Sequence, residues 1–117
     1  MSSFTNPLIV EKIGDNQWKL HTPFTYQIRA GEAVRVPEGF VTDFASIPQA
    51  FWSILPPHGQ YAAAAVVHDF LYKHHKYTRK RSDQIFKEGM KVLGVNWLVR
   101  WIMYQAVRWF GGTAWNK

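Results

Sequence analysis

Residues 24–36, Phe24-Thr25-Tyr26-Gln27-Ile28-Arg29-Ala30-Gly31-Glu32-Ala33-Val34-Arg35-Val36, decide the fold. Tyr26-Gln27-Ile28-Arg29 and Val34-Arg35-Val36 alternate apolar with polar, the period of a strand with one face in a core and one in water. Ala30-Gly31-Glu32 breaks the run between them. Residues 8–13 and 17–20 are further β-favouring runs, separated by Gly14-Asp15-Asn16, and His21-Thr22-Pro23 divides them from the strand expected over 24–29. The next strand is expected over 33–36. A small antiparallel sheet with one wet face needs helices on the other, and the rest of the chain supplies them. Residues 49–54 read as a short helix, with Pro48 near its first turn and Ser46 as N-cap. Longer helices are expected over 60–73, helped by the alanines at 62–65, over 82–93 with Gly94 as the stop, and over 96–110 before Gly111-Gly112. The expected fold class is α+β: a small N-terminal antiparallel sheet packed against three to four C-terminal helices. It forms a single domain over 1–117, with 1–42 mainly strands and 47–110 mainly helices.

Composition supports one core, since the chain has 117 residues and is 47% hydrophobic and 16% aromatic. No cysteine is present, which excludes disulfides and thiolate metal sites, so any metal would be held by oxygen and imidazole. The first seven residues contain no basic n-region and no long apolar run, so no signal peptide is expected. Fourteen Lys and Arg against eight Asp and Glu give a net charge of +6, which favours anionic partners such as nucleic acid, lipid headgroups or cell-wall polymers. Much of it lies in residues 73–81, where the plain reading is a solvated loop between helices. Nucleic acid is disfavoured as a partner, because Tyr77 is the sole stacking aromatic interleaved there. The last helix carries Leu98, Trp101, Ile102, Ala106 and Trp109 on one side and Arg100, Tyr104 and Arg108 on another. It is too short and too charged for a bilayer span, which takes about 20 apolar residues. A core helix is expected, with a membrane-surface or partner-binding helix as the sharper alternative.

The chemistry concentrates in Val66-Val67-His68-Asp69-Phe70-Leu71-Tyr72. Ionisable groups in an apolar run require pairing, hydrogen bonds or a metal. At about 100° per residue, His68 shares a helical face with Ala65, Tyr72 and His75, while Asp69 points to the flank. The two diverge, so each needs its own partner. Asp83 continues the apolar stripe of Phe86, Met90 and Leu93 and would point inward to hydrogen-bond an imidazole or join a metal site. Alternatively, with Ser82 as N-cap, it is a first-turn acid that complements the helix dipole. Asp43 and Ser46 lie in a polar interruption, Thr42-Asp43-Phe44-Ala45-Ser46. They either fix the turn locally or join the pocket of His68 and Asp69, Ser46 as a substrate-binding or orienting hydroxyl. No Gly-x-Ser-x-Gly elbow surrounds Ser46, which disfavours a serine nucleophile. His-Glu-x-x-His, Walker, dinucleotide and EF-hand patterns are absent. Carboxylates with carbonyls suit a hard cation, calcium over zinc.

Val36-Pro37-Glu38-Gly39-Phe40-Val41-Thr42-Asp43-Phe44-Ala45-Ser46-Ile47-Pro48, followed by Gly59-Gln60-Tyr61, His68-Asp69-Phe70-Leu71-Tyr72 and Asp83-Gln84-Ile85-Phe86, resembles the phage and prophage family catalogued as domain of unknown function 1353. The likeness covers about residues 30–115. It implies a phage or prophage origin, location in the host cytoplasm or the virion, and phage tail or virion components as partners. His68-Asp69-x-x-Tyr72 with a later Asp83 is also similar to the site of secreted and parvoviral phospholipases of the A type. That second resemblance implies His68 as the base, Tyr72 and Asp83 as its orienting pair, and Asp69 as ligand of a divalent cation, to which Asp43 from its own loop is expected to add a second carboxylate. The chain departs from those enzymes in lacking their glycine-rich calcium loop. Two readings follow. In one, the chain is a phage-encoded, cation-assisted hydrolase acting on an ester or amide of host-envelope lipid or peptidoglycan. In the other, it is a non-enzymatic virion or tail-associated protein in which the same residues form a structural polar network.

Overall fold

The computed structural model describes residues 3–4, 8–14, 17–29, 31–44, 46–47, 49–51 and 62–116. The alternation at 24–36 becomes a hairpin of β4 (Phe24–Arg29) and β5 (Glu32–Val36), with Tyr26 opposite Val34 and Phe24 opposite Val36. Phe24, Tyr26, Ile28, Val34 and Val36 are buried, as the period requires. Gly31 has φ +80° in the connection. A short strand absent from the expectation, β1 (Ser3–Phe4), adds to the free edge of β4. Phe4 stacks there on Phe24 and Tyr26.

The single expected sheet is in fact two. β2 (Val10–Gly14) pairs with β3 (Gln17–Leu20), and β3 pairs on its other edge with β6 (Val41–Thr42), also unexpected. Two-residue strands such as β1 and β6 are too short to show a period, so only their pairing partners define them. In β3, Trp18 and Leu20 turn inward, whereas β2 is largely exposed.

Helix α1 (Ala62–His74) is the centre of the domain and is buried on nearly every side. Its small residues permit close neighbours: a Cβ on Gly89 of α2 would lie 3.3 Å from Ala64 Cβ. Helix α2 (Arg79–Val92) begins one turn earlier than expected. Thr78, not Ser82, is the N-cap, accepting a hydrogen bond from the Arg81 backbone N–H at 3.1 Å, while the Ser82 hydroxyl donates to the Thr78 carbonyl at 2.9 Å. Asp83 therefore lies in the second turn and is not a first-turn acid. Tyr26 ties α2 to the sheet, its hydroxyl donating to Glu88 Oε1 at 2.9 Å.

Helix α3 (Trp97–Phe110) starts one residue later than expected, with Asn96 as its N-cap, whose side chain accepts from Val99 N–H at 2.9 Å. Its orientation corrects the expectation. The buried residues are Met103, Ala106 and Val107, and Leu98, Trp101 and Trp109 face outward. A further turn, α4 (Gly112–Trp115), follows where a stop was expected, and Trp115 stacks on His75 with ring centroids 3.8 Å apart. Of the short helix expected over 49–54, a 3₁₀ turn at Gln49–Phe51 is described; Ala45, Pro48 and residues 52–61 lie outside the described residues.

Gly94 closes α2 at φ +84°, with its N–H on the Lys91 carbonyl and the Val95 N–H on the Met90 carbonyl, the paired bonds of a Schellman motif. Gly111 has ordinary helical φ, but a Cβ there would come within 2.4 Å of the Val107 carbonyl oxygen and 2.8 Å of the Tyr72 hydroxyl. Chemical denaturation is expected to show Gly94→Ala costing about 1 kcal/mol. Gly111→Ala should cost more, because the obstruction includes backbone.

Candidate functional site

His68 and Asp69 leave α1 in different directions and take separate partners, as the helical spacing requires. The His68 ring lies between Tyr72 and Phe86, with centroids at 4.2 and 4.6 Å. Its Nε2 is 2.7 Å from Asp83 Oδ1, and its Nδ1 is 3.0 Å from Ser46 Oγ. An ionised carboxylate only accepts, so Nε2 carries the proton toward Asp83. In the neutral ring Nδ1 then accepts from the Ser46 hydroxyl. Tyr72 donates to the same Oδ1 at 2.5 Å, and Arg108 Nη1 donates to Oδ2 at 2.8 Å. Asp83 on α2 thereby joins α1 to α3. Burial pushes its pKa up, but hydrogen bonds and charge from His68, with the Tyr72 and Arg108 bonds, hold it below the ordinary carboxylate value. Burial, and after it the bond to Asp83, raises the Tyr72 phenol well above its usual range.

Asp69 faces the other way. Its Oδ2 accepts from the Thr42 hydroxyl at 2.6 Å, and that Thr42 oxygen accepts from the Phe44 backbone N–H at 3.2 Å. Phe44 is a non-glycine residue at φ +56°, a strained geometry, and its ring is buried against Trp18 with centroids 5.1 Å apart. Ser46 lies two residues on. The consecutive residues His68 and Asp69 thus hold the segment after β6 at two points, one through Ser46 and one through Thr42.

Ser46, His68 and Asp83 are all 0% exposed, and Tyr72 and Asp69 are 1% exposed. In order, the first three form a hydroxyl–imidazole–carboxylate relay of the kind nucleophilic hydrolases use. A family model described as "Protein of unknown function (DUF1353)" matches residues 18–107. The chain belongs to the DUF1353 family. It is also 36% identical over 97 residues to the "Uncharacterized protein y4jT" of Sinorhizobium fredii (strain NBRC 101917 / NGR234), a match covering 80% of this chain and 29% of that protein. No solved structure matches the chain. This member of DUF1353 therefore corresponds to under a third of its longer relative.

Within the family domain, all six residues expected at a site are accounted for. His68, Tyr72, Asp83 and Ser46 converge. Asp69 lies beside them on a separate bond set, and Asp43 is not in the buried network: its side chain is 42% exposed, with Oδ1 3.9 Å from Lys73 Nζ. The same ammonium is 3.4 Å from Asp69 Oδ2. A calcium ion takes six to eight oxygens. Among the described residues no group of three or more His, Asp or Glu side chains converges to supply them, and the cation between Asp43 and Asp69 is Lys73.

Thr42 and Arg108 are members of these bond sets that the sequence reading missed. Thr42 stood in the polar interruption already noted, next to the acid that drew attention. Arg108 was grouped with Arg100 and Tyr104 on one side of the last helix and given no partner, although a buried charge requires pairing. Arg79 supports it from outside, its Nη2 donating to the Val107 and Arg108 carbonyls at 2.8 and 2.7 Å and so satisfying the end of α3.

Asp83→Asn removes the charge that Arg108 and His68 face, and denaturation at pH 7 is expected to show a loss of about 3–5 kcal/mol. For the wild type, ionised Asp83 stabilises the fold above its unfolded-state pKa near 3.8. Between that value and the lower folded one the unfolded chain binds more protons, so stability falls as pH falls through this window. An acid titration of stability should show this decline in the wild type and a shallower one in Asp83→Asn.

Proposed function

We propose that this DUF1353 domain is a non-enzymatic module, and that the Ser46–His68–Asp83–Tyr72–Arg108 network is an internal brace holding helices and loop in one arrangement. A phage virion or tail is the assembly that the family resemblance suggests for it. The observation that carries this reading is burial: the hydroxyl, imidazole and carboxylate are all sealed, and each is bonded within the network. A nucleophile must reach a substrate carbonyl, and among the described residues the hollows bounded by Leu20 and His21, by Lys87 and Arg100, and by Trp101 and Trp109 are lined by no network residue. Buried ionic groups with every partner in place suit a role in conformational specificity.

One observation favours the hydrolase reading. The His68 ring is held by Asp83, which is itself held by Tyr72, and its other nitrogen faces a hydroxyl. There the Ser46 oxygen would attack an envelope ester or amide carbonyl. His68 Nδ1 would take the hydroxyl proton and return it to the leaving group, and water activated by the same imidazole would then release the acyl group from Ser46.

A fluorophosphonate probe and a phospholipid or peptidoglycan turnover assay, run with and without calcium, separate the two. The brace predicts no labelling of Ser46, no turnover, and a stability loss of about 1 kcal/mol in Ser46→Ala from its lost hydrogen bond. Turnover that disappears in a folded His68→Ala or Ser46→Ala variant would establish the hydrolase and overturn the brace as the function.

A further inference from the structure

Helix α3 turns its largest apolar side chains away from the core. Trp97 is 70% exposed, Trp101 53%, Trp109 76%, Leu98 49% and Phe110 59%. Residues 97 and 101 are one turn apart, so their indoles form a row, and Leu98 and Trp109 widen it. The core face on the opposite side is filled by Met103 and Val107. Isolated exposed apolar residues need no explanation, but a contiguous patch of this kind marks an interaction surface. Beside Trp101 and Trp109 a hollow of about 320 Å³, lined also by Phe51 and Phe110, continues the apolar surface.

Charge indicates what covers it. Helix α3 contains no acidic residue. Along the side where it meets α2, Lys87, Lys91 and Arg100 line a groove of about 500 Å³ together with Tyr104. The acid in that groove, Glu88, accepts from the Tyr26 hydroxyl. The whole chain is at +6. A second copy would bring the same positive groove to the interface, and the like charges would oppose association. A convex row of indoles flanked by lysine and arginine fits the headgroup layer of an anionic bilayer, where tryptophan rings sit at the interface and basic side chains meet lipid phosphate.

We infer that the α3 face, through Trp97, Trp101 and Trp109 with Lys87, Lys91 and Arg100 at its margin, docks the domain onto an anionic lipid surface. The helix lies in the interface plane. At 14 residues it is not a span, and no described helix is long and apolar enough to cross a membrane. Nothing in this surface depends on whether the buried network is catalytic.

Co-sedimentation of the full chain with phosphatidylglycerol–phosphatidylcholine vesicles tests the assignment, with pure phosphatidylcholine vesicles as the neutral control. The wild type should partition to anionic vesicles with a blue shift in tryptophan emission, and added salt should weaken it. Trp97→Ser with Trp101→Ser and Trp109→Ser should lower partitioning at least tenfold while circular dichroism stays unchanged. Lys87→Ala and Lys91→Ala should each lower it about fivefold on anionic vesicles. Absence of binding to anionic vesicles at low salt overturns the proposal. So does a concentration-dependent dimer that the tryptophan substitutions abolish, since the face would then belong to a second copy.

Discussion

The domain is organised around the charge on Asp83. A carboxylate with no exposure is tolerable only when its oxygens are occupied, and here an imidazole, a phenol and a guanidinium occupy them. Those donors come from two helices, and the acid itself from a third. The relative placement of α1, α2 and α3 is therefore held by short polar bonds as well as by the apolar contacts of Leu71, Phe86, Met90, Met103 and Val107. Apolar contacts alone tolerate small slides between helices, whereas a bond of 2.7–2.8 Å with directional donors does not. The Arg108 side chain is 29% exposed yet bonded at its head to a sealed acid, the behaviour of a long amphipathic side chain.

The second constraint is the turn after β6. Phe44 occupies a backbone region that a bulky side chain avoids, at a cost of order 1 kcal/mol. Burial of its ring and the Thr42 hydroxyl bond to its N–H offset that cost. Because Thr42 in turn donates to Asp69, the strain in the loop is resisted from the central helix. Ser46 is thereby delivered to His68 over a sequence separation that neither residue could control alone.

Much of this was legible from residues alone, and the failures have physical causes. The hairpin at 24–36 was readable because one wet face leaves an alternation of period two. The divergence of His68 and Asp69 followed from helical geometry, and the stripe shared by Asp83, Phe86 and Met90 offered the His68 pairing as one of two readings, the other being a first-turn acid. The orientation of α3 was not readable, because that helix is apolar on two faces and periodicity cannot choose between them. In the fold Met103, Ala106 and Val107 take the core face, the tryptophans lie outside, and the long Arg108 side chain still reaches Asp83. The start of α2 was misplaced because Thr78 and Ser82 are both competent caps one turn apart, and Ser82 found another use. Ser46 had two readings, local turn or His68 pocket, and local pattern could not choose because its partner lies 22 residues away.

The adjacency of His68 and Asp69 has a consequence for how this chain can change in length. Each residue serves a different part of the molecule, and the angle between them is the 100° step of the helix. An insertion or deletion of one residue within α1, upstream of that pair, would rotate both side chains by that step relative to the residues before it. His68 would leave Ser46 and Asp83 as Asp69 left Thr42, so the loop and helix anchors would fail together. The same change in the Gly31 connection alters only the tip of a hairpin. Changes of length are therefore expected to be tolerated in the connections and not within the central helix, Ala62 to His74.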